Sequence, residues 1–165
     1  LLKSVPGRFQ TFETPDNIMV VVDYAHTPDA LKNVLTTINK IRTQNENLIT
    51  VVGCGGNRDH DKRPMMGAIA AQYSTKVIFT SDNPRDEDPD AIIEQMCEGV
   101  DPVDYKKTMN VTRRKEAIKV ACQLSQPGDV VLIAGKGHEN YQEVKGEKLP
   151  FDDYKIAQEI FTKTS

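Results

Sequence analysis

The sequence predicts an α/β fold: a Rossmann-like, mostly parallel sheet with helices on both faces. Short apolar runs rich in β-branched residues recur at 18–22, 48–52, 76–80 and 130–134, the signature of strands buried on both faces. Between them lie segments whose apolar residues repeat at helical spacing. Strand alternating with helix implies right-handed crossovers and parallel pairing. A third observation concerns the loops at the strand ends: residues 23–26, 53–58, 82–85 and 135–139 are polar, charged or glycine-bearing. In an open parallel sheet such loops share the carboxyl edge, where ligands bind.

In chain order, residues 1–17 read as a lead-in linker punctuated by Pro6, Gly7, Pro15, Asp16 and Asn17, with one domain over 18–165. The first strand runs from Ile18 to Val22 and ends at Asp23. Thr27 then caps a helix with Pro28 in its first turn, and Leu31, Val34, Leu35, Ile38 and Ile41 form its apolar stripe. The central strand ends in glycine at Gly53. A helix from Pro64 to Tyr73 shows Met66, Ile69, Ala70 and Tyr73 on one face. After the strand at 76–80, Asp88-Pro89 caps a helix with Ile92, Ile93 and Met96 inward, stopped by Gly99. A short edge strand is expected within 105–110 and a helix over 112–124 carrying Ile118, Ala121 and Cys122. The turn Gln126-Pro127-Gly128-Asp129 leads to the last core strand, 130–134. A hairpin around Lys145-Gly146 and a closing helix from Asp152 or Asp153, with Ile156, Ile160 and Phe161, complete the chain.

Bulk properties narrow the function. The 165 residues suffice for one core. A net charge of −3 with no basic stripe speaks against nucleic acid. No stretch approaches the roughly 18 apolar residues of a membrane span, and no secretory leader is evident. Three scattered cysteines (Cys54, Cys97, Cys122) suggest reduced thiols and a cytoplasmic protein rather than a disulfide framework. The start at Leu1-Leu2, without methionine, suggests a processed chain or, more in keeping with the rest, a piece cut from a longer one.

The segment Gly53-Cys54-Gly55-Gly56-Asn57-Arg58-Asp59-His60-Asp61-Lys62-Arg63-Pro64 joins a strand to a helix. Free N–H groups and the helix dipole there suit an anion, and Arg58, Lys62 and Arg63 add charge. Glycines admit close backbone approach to a ligand or positive φ. The segment matches neither common nucleotide fingerprint, and a plain glycine turn with solvated charges reads the same way. Cys54 has no general base that can be placed beside it, which argues against a nucleophile. Cys54 with His60 is too sparse for zinc. The other loops add Asp23 and His26, Asp82 and Arg85, and Lys136, His138 and Glu139. Arginines hold carboxylates or phosphates bidentately and carboxylates hold ammonium groups, so a small zwitterion could use both. Arg113-Arg114-Lys115 reads as a solvated helix face.

Taken together, Asp23-Tyr24-Ala25-His26-Thr27-Pro28-Asp29, the glycine segment, Asp82-Asn83-Pro84-Arg85 and Gly135-Lys136-Gly137-His138-Glu139 resemble the C-terminal domain of the Mur ligases. The resemblance covers essentially the whole chain and is nearest to the members that add diaminopimelate as third peptide residue. Pro6-Gly7-Arg8 resembles the segment joining that family's central ATPase domain to its C-terminal domain. The resemblance implies an ATP- and Mg²⁺-dependent ligase of cell-wall precursor synthesis. Its partners would be meso-diaminopimelate, UDP-N-acetylmuramoyl-L-Ala-D-Glu and ATP. Arg58, Asp82, Asn83, Pro84, Arg85, Gly135 and Glu139 fall at the family's acceptor site, with Arg85 reading the second carboxylate that distinguishes meso-diaminopimelate from lysine. Arg8, Asp23, His26 and, on charge alone, Lys62 fall on the ATP side. The family's phosphate loop, metal ligands and UDP-sugar site belong to other domains, so no metal ligand or covalent nucleophile is expected here. A lysine-adding ligase and a non-catalytic amino-acid-binding module are the alternatives.

Overall fold

In the computed structural model, which describes residues 9–43, 45–57, 59–136 and 139–163, the core is a six-stranded sheet in three layers. Its strands are β1 (Gln10–Glu13), β2 (Met19–Asp23), β3 (Leu48–Val52), β4 (Lys76–Phe79), β5 (Thr108–Asn110) and β6 (Val130–Ala134). The spatial order is β1-β2-β6-β3-β4-β5. Only β1 runs antiparallel, against β2. All other pairings are parallel, and β6 is inserted between β2 and β3. The fold expectation holds.

β3 and β6 are buried along their whole length, which is why their sequences are unbroken apolar runs rather than alternations. The period of two still decides which layer each side chain joins. Val21, Leu48, Val52, Leu132 and Ala134 face α1 (Pro28–Ile41), α2 (Lys62–Tyr73) and α3 (Pro89–Cys97). Val20, Val22, Ile49, Val51, Val131 and Ile133 face α4 (Arg114–Leu124) and α5 (Asp153–Lys163). Thr50 falls on the first face, where its hydroxyl is satisfied by Ser74 Oγ at 2.7 Å. Thr27 caps α1 by accepting from Ala30 N–H at 3.2 Å, and Leu31, Leu35 and Ile38 are buried beneath it.

Several details depart from the sequence reading. Residues 10–13, expected within a linker, form β1; the segment is short and half polar, so its period is faint. A 3₁₀ turn occupies Pro102–Lys107, leaving only Thr108–Asn110 as the edge strand. Helix α2 starts at Lys62, with Pro64 inside its first turn, and α4 starts at Arg114. The largest correction concerns Arg114. It is not on a solvated face but fully buried, although Arg113 and Lys115 beside it are exposed. The hairpin of β7 (Tyr141–Val144) and β8 (Glu147–Pro150) forms as expected and sits apart from the main sheet.

Candidate functional site

At the carboxyl edge, the loops after β2, β3, β4 and β6 surround a cleft of about 450 Å³. His26, Lys62, Asp82, Asn83, Arg85, Gly135 and Glu139, all expected from the sequence, line it. Arg8, Arg58 and His138 lie outside the described residues. Insertion of β6 between β2 and β3 is what brings Gly135 and Lys136 between the loop after β2 and those after β3 and β4.

The glycines after β3 serve loop packing. A Cβ on Gly53 would lie 2.4 Å from Thr80 O, and one on Gly56 would lie 1.8 Å from Pro84 O. Gly56 N–H donates to Asn83 O at 2.7 Å. Gly53 and Gly56 thus admit the neighbouring loop, with Pro84 as the contact at Gly56, while Gly53 and Gly55 also line the cleft. Arg63 is likewise engaged. Its guanidinium, 1% exposed, donates to Glu87 at 3.1 and 2.8 Å, to Gly55 O at 3.0 Å and to Gln95 Oε1 at 2.8 Å. The Arg63 hydrogen bonds outweigh desolvation and pull the Glu87 carboxyl down to about 2. Lys62 is different: exposed on the cleft rim, it has no partner among the described residues.

Lys136 is the hub beneath the cleft. Its buried ammonium donates to Asn83 Oδ1 at 2.7 Å and to Tyr141 O at 2.8 Å. It lies 3.1 Å from Asp82 Oδ1 and 3.8 Å from Glu139 Oε1. The Asp82 contact has ion-pair distance without hydrogen-bond alignment, so Oδ1 remains buried and unbonded. Among the described residues, the Glu139 side chain is held only by Lys136 and by a long 3.5 Å contact from Asn83 Nδ2, which leaves it available to a ligand.

Arg85 adopts a left-handed φ of 53°, uncommon for a residue with a Cβ. Its Nη1 donates to Gly56 O at 2.8 Å and its Nε to Glu143 Oε1 at 3.2 Å. Gly135, at φ 113°, passes beside Asp82 and donates its N–H to Asp23 O at 3.1 Å. Both Asp23 carboxylate oxygens accept backbone N–H groups, from Phe9 at 2.7 Å and Ala25 at 2.8 Å. Asp23 thus pins the first described residue to the end of β2. His26 is exposed and packs on the Tyr24 ring at 4.5 Å. Cys54 borders the cleft, but burial, then the Asp82 charge, push its thiol up to about 12 despite Arg63. It is a protonated thiol at neutral pH, not a nucleophile.

The cleft therefore carries both charges: Arg85 and Lys62 line it together with Asp82 and Glu139, which lie beside the buried Lys136. Residues 7–137 match the family described as Mur ligase, glutamate ligase domain. The chain belongs to the Mur ligase family. It is 57% identical over 159 residues to the UDP-N-acetylmuramoyl-L-alanyl-D-glutamate–2,6-diaminopimelate ligase of Cytophaga hutchinsonii, covering 96% of this chain and 32% of that protein. The enzyme of the same name from Bacteroides thetaiotaomicron is 54% identical over 160 residues, covering 97% and 33%. A solved structure of a ligase of that name superposes with TM-score 0.87 at 45% identity, covering 97% of this chain and 32% of that one. The chain thus spans about a third of the length of the curated relatives it matches.

For a Mur ligase domain, sequence reasoning found the loops but missed their braces. Tyr141 lines the cleft unanticipated, while Tyr24 and Cys54 line it from loops expected at this edge. Glu87, Glu143, Arg114 and Asp153 hold its loops from behind. Of these, only Arg114 carried a readable signal. It lies three, four and seven residues before Ala117, Ile118 and Ala121, on the buried face of α4.

Proposed function

We propose that this domain binds meso-diaminopimelate for an ATP-dependent ligase that joins it to UDP-N-acetylmuramoyl-L-Ala-D-Glu. The observation that carries the reading is Arg85: a guanidinium anchored at two nitrogens, lining a cleft that Asp82 and Glu139 also line. The acceptor is a zwitterion with one carboxylate more than lysine. Arg85 offers that carboxylate a charge-assisted partner, and Glu139 and nearby loop carbonyls suit an ammonium group. Asn83 lines the wall, Pro84 packs its loop against Gly56, Gly135 lets the chain pass beside Asp82, and Arg58, outside the described residues, is assigned to the same acceptor.

In such a ligation, phosphorylation by ATP converts the terminal carboxylate of the dipeptide to an acyl phosphate. The acceptor amine attacks that carbonyl carbon; the C–N bond forms, phosphate leaves with its oxygen, and the nitrogen sheds its proton. This chain contributes positioning and charge. Lys62 and His26 border the nucleotide side, Asp23 fixes the strand end, and Arg8 precedes the described residues. Lys62, at the start of α2, fits a phosphate. Among the described residues no group of three or more His, Cys, Asp or Glu converges for a metal. The reaction is cytoplasmic in this reading; none of the described helices is long and apolar enough to cross a membrane.

Steady-state ligation by the full-length enzyme tests the proposal. With meso-diaminopimelate the expected product forms. With lysine kcat/KM falls by orders of magnitude, up to about 10⁴-fold, because Nη2 of Arg85 is left without the carboxylate it would bind. Comparable use of the two amino acids would overturn it.

A further inference from the structure

The hairpin β7–β8 lies outside the strand-end loops, yet it grips Arg85. Arg85 N–H donates to Glu143 O at 3.0 Å, and Lys145 N–H donates back to Arg85 O at 2.7 Å. Glu143 N–H in turn donates to Asn83 Oδ1 at 2.8 Å. Gln142 Nε2 reaches Asp82 O at 2.6 Å. This lattice fixes where the Arg85 side chain starts.

The side chain is held separately. A guanidinium is a rigid plane of five N–H donors. Glu143 takes Nε and Gly56 O takes Nη1, and Nη1 also lies 3.5 Å from Asn83 O. Two anchors on different nitrogens fix the plane as well as the position. Nη2 donates to nothing among the described residues, and Arg85 lines the cleft.

We propose that Glu143 is a specificity-determining positioning residue: by holding Nε it turns the Arg85 guanidinium so that Nη2 meets the acceptor's second carboxylate. The inference rests on the reading of Arg85 given above. Two effects compete. The Glu143 charge opposes an incoming carboxylate, but Glu143 is 27% exposed, so solvent weakens that opposition. Removing the oxygen restores rotamer freedom to a long side chain, a cost then met on every binding event. Orientation is the larger effect, and it acts only on the substrate that carries the second carboxylate.

The test is a double-mutant cycle in the full-length ligase: wild type, E143A, E143Q, R85A and E143A/R85A, with kcat/KM for meso-diaminopimelate and for lysine and KM for ATP. E143A is expected to lower kcat/KM for meso-diaminopimelate about tenfold, the scale of one hydrogen bond to a charged group. The values for lysine and ATP stay unchanged. E143Q, whose amide oxygen still accepts from Nε, stays within about threefold of wild type, and the double variant is no worse than R85A alone. Should E143A not fold, E143L removes the same oxygen at larger volume and is judged by the same ratio. Unchanged or improved use of meso-diaminopimelate by E143A overturns the inference, as does a parallel loss with lysine, or E143Q failing as E143A does. If R85A leaves the diaminopimelate-to-lysine ratio unchanged, the acceptor reading itself falls. If R85A lowers the ratio and E143A does not, only the role of Glu143 falls.

Discussion

Arg114 and Asp153 form a two-bond ion pair that water does not reach. Nε meets Oδ1 at 2.8 Å and Nη2 meets Oδ2 at 2.7 Å, with both side chains 0% exposed. The same guanidinium donates to Ser81 O at 3.3 Å and Ala134 O at 3.0 Å. Those carbonyls immediately precede the two loops that carry Asp82 and Gly135. Burial works against the charge on Arg114, but Asp153 more than offsets it, and the net effect holds the guanidinium more firmly protonated than usual.

Removing one partner should leave the other charge buried and unpaired. R114A or D153A is expected to destabilise the fold by about 3–5 kcal/mol. R114M/D153L should regain most of that loss, since an apolar pair of similar volume avoids the desolvation penalty. Urea unfolding of the three variants checks this. A double variant as unstable as either single would contradict it.

Glu87 makes acid stability predictable in sign. Its carboxyl is lowered from 4.5 to about 2 in the fold. Its pairing with Arg63 therefore contributes fully above the unfolded value and is lost as pH falls through the folded one. Between pH 4.5 and about 2, wild type should lose stability more steeply than E87Q. Melting temperatures across that window decide it; parallel curves would remove Glu87 from the account.

Gly56 is a contact rather than a hinge. In G56A the new methyl must displace the Pro84 carbonyl and break the Gly56–Asn83 hydrogen bond. A loss of about 2 kcal/mol or more is expected. KM for the acceptor should rise further than KM for ATP, because the displaced loop carries Asp82 and Arg85. Kinetics and melting of the full-length enzyme measure both. An unaltered acceptor KM would show that the loops do not need this approach.

Cys54 should be chemically quiet. With its thiol held near 12, alkylation by iodoacetamide at pH 8 should be far slower than for a free thiol. C54A should keep wild-type activity within about twofold. Rapid labelling at pH 8, or a dead C54A enzyme that still folds, would refute this.

How far the sequence can be read depends on how local each signal is. Strands β2, β3, β4 and β6 announce themselves because burial on both faces demands unbroken apolar runs. The four site loops come from parallel topology alone. β1 stays hidden because four half-polar residues at an edge carry no strong period. The structural pairing of Arg63, the burial of Arg114 and the grip of Glu143 on Arg85 depend on partners 24, 39 and 58 positions away. No window along the chain contains them. Charge is legible in the sequence, but whether a charge faces a ligand or a structural partner is not.

The position of β6 has a consequence for synthesis. It is the last strand of the main sheet to leave the ribosome, yet it lies between β2 and β3. Until residues 130–134 emerge, Met19–Asp23 and Leu48–Val52 cannot complete the ladder that joins them, and each keeps an open apolar edge. Such edges invite pairing with other chains. A nascent chain stalled before Val130 would therefore be a hazard to its neighbours, not a partial version of the domain.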